Sequence, residues 1–506
     1  MCRKKQMRKT IERNPDVVIL LIAGYFLLAM VVRLVRSSGL EVDETQQAFM
    51  SQFLVLGYGS QPPFYDWLQY GLNQAFGTSL ATLTILKNTM LFFFCLFYTL
   101  AVRQLITSRS LCAIATLGTL TIPTVFLLVQ RDLSHTVACL FAIALFLYGF
   151  FRTLRQPTLN TYLITGVAVG IGALSKYNFV VVPLAAVLAI LPEKELRGRL
   201  LDWRILLSLA LAALITTPHA LWVVQNIVSA TSQTVQEMKE GSDAPGIPNR
   251  LEGAIDLIIS MVKGVLPTLA VFGLVFHKDL RTILRSGDTL SRVVGRMLAL
   301  CFLVVLIVVV VVGATHMREK WLAPYIVLLP LYLCLKVQAA RVDVKSRLPG
   351  MLAITAVLTI GTLLILLGRG LSGPLLGRYS LIHVPYAGFA RAMEREGHAQ
   401  PNYIVTDGGL LAGNLKVQFP SSTVYLTGQH PELLPKPWPA DATVLVVSAT
   451  KDGTFPANTQ DNLKAMADWA SLPAPTQFGR SEIPYPGSDG TQRHGFYYSW
   501  EKIGQQ

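Results

Sequence analysis

Long apolar runs separated by short polar gaps dominate the first three quarters of this chain. The first runs from Val17 to Val32, and others cover approximately 83–102, 111–129, 135–151, 161–175 and 178–192. The remainder lie near 205–227, 254–276, 297–313, 322–338 and 350–368. Each approaches the roughly 20 residues that a helix needs to cross a bilayer, so the pattern predicts about eleven transmembrane helices. The pair 161–175 and 178–192 is short for two full crossings. Gly166, Gly170, Gly172 and Pro183 within it predict close packing or broken helices. From about Arg369 onward Pro, Gly and polar residues rise. Short β-like runs follow at Tyr403–Thr406, Thr423–Leu426 and Thr443–Val447, with helical patterns near 386–396 and 459–470. They predict an α/β domain of roughly 130 residues, long enough to bury its own core.

The polar gaps carry an orientation. Arg3, Lys4, Lys5, Arg8, Lys9 and Arg13 precede the first run, and no small-residue cleavage site follows it. A retained first helix is therefore expected rather than a signal peptide. Alternate gaps are basic: Arg103 and Arg109; Arg152 and Arg155; Lys194, Arg197, Arg199 and Arg204; Lys278, Arg281, Arg285, Arg292 and Arg296; Lys336, Arg341, Lys345 and Arg347. Cytoplasmic loops show this bias. The expected organisation is a cytoplasmic tail over 1–16, a membrane domain over 17–368 with a long outer loop at 36–82, and an extracytoplasmic α/β domain over 369–506.

Composition agrees. Of 506 residues, 52% are hydrophobic and 15% charged, against about a quarter charged in soluble chains. The net charge of +14 sits in the short gaps rather than in one patch, so nucleic acid is not an expected partner. Cys95, Cys112, Cys139, Cys301 and Cys334 fall in or beside apolar runs and Cys2 in the tail. No disulfide framework or metal-type spacing is visible.

Candidate chemistry gathers in the outer gaps. Asp43 and Glu44 lie about ten residues past the first run. Gln46, Gln47, Phe49, Phe53 and Leu54, and then, after Pro62-Pro63, Phe64, Trp67, Leu68, Leu72 and Phe76, follow helical spacing and read as interfacial helices. The plain alternative for Asp43 and Glu44 is a solvated helix cap. Arg131-Asp132 with His135, then Ser175-Lys176-Tyr177-Asn178, then His316, Arg318, Glu319, Lys320 and Trp321 supply further polar groups at the membrane edge. Cations and carboxylates so arranged suit a lipid-linked phosphate: the cations hold the phosphate and a carboxylate serves the acceptor. A phosphate leaving group needs no general acid, so one carboxylate suffices. Phosphate-loop, zinc-protease and nucleophile-elbow motifs are absent, which leaves ATP-driven transport and zinc proteolysis unsupported.

The acidic pair followed by Leu56-Gly57-Tyr58-Gly59-Ser60-Gln61-Pro62-Pro63-Phe64-Tyr65-Asp66-Trp67-Leu68 resembles the first outer loop of the C-type (GT-C) membrane glycosyltransferases. The nearest likeness is to the bacterial group related to protein O-mannosyltransferases and the lipid A aminoarabinose transferase, and within it to the transferases that add sugars such as galacturonic acid to lipopolysaccharide. Arg131 to Thr136, Ser175 to Asn178 and Arg318 to Pro324 match the same pattern. The resemblance covers about the first 340 residues. It implies an inverting transfer from a polyprenyl-phosphate sugar donor to lipid A, lipopolysaccharide or another envelope glycan. The setting would be the periplasmic face of the bacterial inner membrane. Asp43 would be the catalytic carboxylate, with Glu44 in support and Asp132 as a further acidic residue. Arg131, Lys176, Arg318 and Lys320 would hold the donor phosphate, while Tyr58, Gln61, Tyr177 and His316 would line the substrate cavity. Some members of the family it resembles carry a divalent metal near the site; nothing in this sequence demands a metal or cofactor, since the cations balance the phosphate. Asp66 is an additional carboxylate that competes for a role.

Two other readings remain open. A transporter or flippase for lipid-linked glycans predicts internal repeats, and none stands out. A protein O-mannosyltransferase would share the chemistry and take a polypeptide hydroxyl instead.

Overall fold

The computed structural model describes residues 13–239, 249–398, 400–450 and 457–504. Most of the basic tail, with Cys2, and residues 240–248 lie outside them. The principal helices begin with α1 (Val17–Arg36), α2 (Val42–Met50), α3 (Phe64–Phe76), α4 (Leu80–Leu105) and α5 (Arg109–Thr119). Next come α6 (Thr124–Arg131), α7 (Ser134–Arg155), α8 (Leu159–Ser175), α9 (Tyr177–Ile190) and α10 (Arg204–Gln225). Then follow α11 (Ile227–Lys239), α12 (Asn249–Val275), α13 (Thr289–Val312), α14 (Glu319–Ala339) and α15 (Leu348–Leu376).

Among the described residues, eight helices are long and apolar enough to cross a membrane: α1, α4, α7, α10, α12, α13, α14 and α15. The run expected as one span over 111–129 is two helices, α5 and α6, bent by 69°. Counted as one broken span, it makes nine. The two short runs form α8 and α9, which stay below a full crossing in length. By length and composition, eight or nine described helices qualify where eleven spans were expected; the two short helices lie where the Gly and Pro content marked them, and the bend at Pro123 was not marked.

Contacts divide the chain into two compact units. One comprises the described parts of Met1–Ala29, Val55–Tyr65 and Lys87–Thr362; the other, those of Met30–Leu54, Asp66–Leu86 and Leu363–Gln506. In the first unit the bend between α5 and α6 sits beside Pro123, which has no N–H to continue a helix, and α6 opens as a π-helical turn over Thr124–Leu128. The Thr121 hydroxyl donates to the Gly118 carbonyl at 2.7 Å and reaches the Thr268 hydroxyl at 3.0 Å, satisfying backbone that the bend frees. Between α6 and α7, Leu133 takes a left-handed conformation (φ 74°), uncommon for a residue with a branched side chain. Such strain tends to mark functional corners. Helix α8 packs closely on α10 because Gly166 and Gly170 share one face. A Cβ on Gly166 would lie 2.6 Å from the Ser208 carbonyl oxygen. At the same crossing the Ser208 hydroxyl donates to the Tyr162 carbonyl at 2.6 Å. Small residues permit such backbone approach in lipid.

The second unit contains the C-terminal α/β fold. Helix α16 (Tyr386–Arg395) leads into β1 (Tyr403–Thr406), α17 (Gly409–Gln418), β2 (Thr423–Leu426), β3 (Thr443–Thr450), α18 (Thr459–Trp469), β4 (Gly479–Pro484) and β5 (Arg493–Lys502). The sheet order is β2-β1-β3-β5-β4. Strands β2, β1 and β3 run parallel, while β5 pairs antiparallel with both β3 and β4. Val405, Val444 and Val446 pack on Leu463 and Met466 of α18. Phe496 stacks on Phe389 of α16 at 4.4 Å, so side chains alternate between the two helical layers.

The α8–α10 crossing yields a test. Gly166→Leu should lower the thermal unfolding midpoint of the detergent-solubilised protein, by the equivalent of about 1–3 kcal/mol of overpacking strain. An unchanged midpoint would contradict the close contact.

Candidate active site

The acidic pair lies in the second unit, and its Glu44 and the preceding Glu41 are held by arginines. Helix α1 ends in Arg33 and Arg36, cations at the negative end of a helix dipole. Helix α2 opens after Glu41, which is extended (φ −77°, ψ 171°). The Glu41 N–H donates to Glu44 Oε2 at 3.0 Å, so Glu44 closes the first turn as in a capping box. Arg33 grips that carboxylate with two groups: Nη2 lies 2.6 Å from Oε2, and Nε lies 3.0 Å from Oε1. It also donates to the Ser37 and Gly39 carbonyls, each at 2.9 Å. Both side chains of the pair are 4% exposed. Arg36 pairs with Glu41 at 2.9 Å, and Arg369 of α15 pairs with the same carboxylate. The cap expected from sequence is present, but it is buried and cross-linked by arginine rather than solvated.

Asp43 precedes Glu44 by one residue, about 100° around the helix. It is half-buried. One turn on, Gln47 is buried, and Asp66 at the start of α3 is completely buried. Burial pushes the Asp66 carboxyl up to about 7; the Gln47 side chain opposes this by hydrogen bonding, and the nearby Asp43 charge adds to it. Asp43, Gln47 and Asp66 thus share one electrostatic neighbourhood.

The first unit holds a cavity of about 370 Å³, within the range of small-ligand sites. One part of its lining is polar: Ser60, Gln61, Lys176, Tyr177, Asn178 and Lys320. The other is a wall of Val180, Val181, Val304, Val305, Val308 and Val309. Lys176 is placed by the break between α8 and α9, where its backbone is extended (φ −165°, ψ 136°). The break follows from Pro183, which cannot donate back to Phe179 and so fits only the first turns of a new helix, and from Gly172, whose bare Cα receives the Phe179 ring. Lys176 is buried and its ammonium donates to the Thr136 hydroxyl at 3.0 Å. Asn178 and Tyr325 tie the break to α14: Asn178 Nδ2 donates to the Trp321 carbonyl at 3.1 Å, and the Tyr325 hydroxyl donates to the Asn178 carbonyl at 3.2 Å.

The proline-turn segment is docked in the same unit. His219 Nδ1 lies 2.7 Å from the Leu56 carbonyl. A carbonyl only accepts, so Nδ1 carries the proton, and Nε2 accepts from the Tyr177 hydroxyl at 3.1 Å. Tyr177, His219 and Trp222 stack in sequence. Gly57 rests on the Trp222 ring with no room for a Cβ.

Of the residues singled out in sequence, Gln61, Lys176, Tyr177 and Lys320 meet in the cavity. Arg131 is exposed, while Asp132 is buried at the strained corner before Leu133. Tyr58 is buried, its hydroxyl accepting from the Val55 N–H at 3.3 Å. His316 pairs with Asp256 at 3.3 Å, and Arg318 stands at the start of α14. None of these five lines the cavity. Sequence reasoning passed over His219 and Lys87 and gave Arg33, Glu41 and Arg369 no role at the site. Lys87 and His219 are each a polar residue inside an apolar helix, buried at 2% and 4% exposure, and that interruption was the available signal. Among the described residues no cluster of three or more His, Cys, Asp or Glu is placed to hold a metal.

Asp66 gives a pH prediction with a definite sign. Its folded pKa is raised from 3.8 to about 7, so the folded state holds a proton that the unfolded chain releases earlier. The resulting stabilisation is full below 3.8 and is lost as pH rises through about 7, with a slope of up to about 1.4 kcal/mol per pH unit. Asp66→Asn should flatten that part of the stability profile and raise the unfolding midpoint above pH 7. An unaltered profile would contradict a neutral buried carboxyl.

Residues 60–222 match the family described as "Dolichyl-phosphate-mannose-protein mannosyltransferase". The chain is 38% identical over 497 residues to the lipopolysaccharide core galacturonosyltransferase RgtB of Rhizobium johnstonii, covering 98% of this chain and 99% of the relative. It is 37% identical over 471 residues to RgtA of the same organism, covering 91% and 94%. In fold it is similar to ArnT from Cupriavidus metallidurans, whose structure holds undecaprenyl phosphate. That match has a TM-score of 0.62 and 13% identity, and covers 95% of this chain and 97% of the other. Near full-length identity, the membrane helices with their terminal sheet domain and the cationic cavity converge: the chain belongs to the lipopolysaccharide core galacturonosyltransferase family, bacterial membrane glycosyltransferases of the GT-C class.

Proposed function

We propose that this protein transfers a uronic acid sugar, galacturonic acid by its relatives' names, from a polyprenyl-phosphate carrier to a hydroxyl of the lipopolysaccharide core. The carrying observation is the cavity itself, two lysines at the polar part and six valines along the wall. Lysine ammonium groups neutralise a phosphate, and a valine wall suits an isoprenoid chain. The topology follows from the loop charges: N-terminus cytoplasmic, loop 36–82 and the 369–506 domain periplasmic.

In this reading the acceptor hydroxyl attacks the anomeric carbon of the donor. The new glycosidic C–O bond forms as the bond to the phosphate oxygen breaks, the configuration inverts, and polyprenyl phosphate departs with the bonding electron pair. Asp43 takes the acceptor proton as general base. Lys176 and Lys320 stabilise the charge growing on the departing phosphate. Glu44, fixed by Arg33, is a positioning residue for α2. Asp132, Arg131 and Arg318 assist at the cavity's approaches, with Tyr58 and His316 supporting the surrounding loops. A protein hydroxyl as acceptor is the second reading, favoured by the family match over 60–222.

Isolated membranes containing native protein or Asp43→Asn, supplied with radiolabelled polyprenyl-phosphate galacturonic acid, test this directly. Label should enter the lipopolysaccharide fraction with native protein and fall by about 10²–10⁴-fold with Asp43→Asn, donor binding being retained. Label in protein would replace the first acceptor reading with the second. Undiminished transfer by Asp43→Asn would remove Asp43 from the chemical step.

A further inference from the structure

The segment that carries Asp43 is seated on the C-terminal domain along its whole length. At its start, the Leu40 N–H donates to Asn414 Oδ1 at 3.1 Å. Asn414 is 2% exposed, and its Nδ2 donates to the Leu410 carbonyl at 2.8 Å, which fixes the amide's orientation. In the middle, Gly413 of α17 lies against the backbone of Thr45 in α2, and a Cβ there would overlap the Thr45 carbonyl and Cα. At its end, the Gln52 side chain behaves as an added strand on the free edge of β2. Its Nε2 donates to the Val424 carbonyl at 2.7 Å, and the Val424 N–H donates to Oε1 at 2.9 Å. Leu40, Ala48 and Val417 fill the space between.

We propose that the C-terminal domain is a positioning element for sugar transfer: α17 and β2 set the location and tilt of α2, and Gly413 and Asn414 are the residues through which they do so. The inference rests on Asp43 being the base. Helix α2 has nine residues, fewer than a helix needs to persist alone, so its geometry is dictated by what it packs against. Pairing an edge strand with a side-chain amide, and removing every side-chain atom at the helix crossing, are specific solutions that bulk apolar packing does not require. A base must also sit within hydrogen-bond reach of the proton it takes, and displacement by 1 Å costs on the order of a hundredfold in rate.

The test is transfer kinetics of full-length Gly413→Ala, Gly413→Val and Asn414→Leu in membranes, with donor KM, donor binding and protease resistance followed alongside. The expected result is a kcat lowered about tenfold for Ala and roughly a hundredfold for Val. Donor KM and binding should stay within about twofold, since donor and base are served by different residues. If Gly413→Val fails to fold, Gly413→Ala and Asn414→Leu carry the comparison. Native-like kcat in the folded variants overturns the proposal. So does a loss of kcat matched by equal losses of donor binding and protease resistance, which would mark a purely structural contact. Asp43→Asn in the same assay separates the two readings. If it remains active, the role of Asp43 falls; if it is inactive beside a native-like Gly413→Val, only the positioning role falls.

Discussion

The ion pair between Arg33 and Glu44 is the constraint on which the acidic loop depends. Two charges are withdrawn from water almost completely, and such a pair is tolerated only when geometry and further hydrogen bonds compensate the desolvation. Here they do. The carboxylate receives two N–H groups of the Arg33 guanidinium and a backbone N–H, while the guanidinium also serves two carbonyls. Removing either partner would strand a buried charge, a loss of about 3–5 kcal/mol. A second set, Arg36 and Arg369 on Glu41, fixes the residue before the helix. The consequence is directional: Glu44 and Glu41 both face arginine, while Asp43 lies on a different face of the helix, with Gln47 one turn on, and its charge acts on Asp66.

The cavity of the first unit solves a different problem. A lysine within a membrane domain is costly unless it meets a polar partner or an anion. Lys176 is held there by a helix break and a threonine hydroxyl, in a cavity that also has a wall of six valines. Asn178 and Tyr325 tie the backbone break to α14, the kind of protein partner that irregular backbone at membrane depth needs. That combination suits a molecule with an anionic head and an apolar tail.

Much of this was legible in the chain. Every expected span except the one broken at Pro123 is a single helical segment or begins with a short helical turn, because apolar runs of that length have few other solutions in lipid, and β1, β2 and β3 stand where the branched apolar runs were. The bend at Pro123 was missed because the apolar stretches on either side of it add up to the length of one span, although Gly118, Thr119, Thr121 and Thr124 interrupt them. Strand β5 was missed because His494, Gly495 and Ser499 interrupt its alternation. Helix α17 was missed because Gly408-Gly409 and Gly413 read as turn signals. In the structure Gly413 is instead the point where α2 approaches. Lys176, Tyr177, Gln61 and Lys320 were recoverable from local motifs. The partners of Glu44 and Glu41 were not, since Arg33 and Arg36 look like ordinary interfacial cations until the chain folds back, and Arg369 is more than three hundred residues away.

The separation of duties between the two adjacent acids is the centre of this account. It is tested most directly by single-turnover transfer with donor already bound, comparing Asp43→Asn with Glu44→Gln at a temperature where both are folded. The predicted result is loss of the chemical step by about 10²–10⁴-fold in Asp43→Asn. Glu44→Gln should stay within roughly tenfold of native and unfold at a lower temperature. A folded Glu44→Gln as inactive as Asp43→Asn would contradict the account, because the buried carboxylate would then be acting on substrate rather than holding the helix that does.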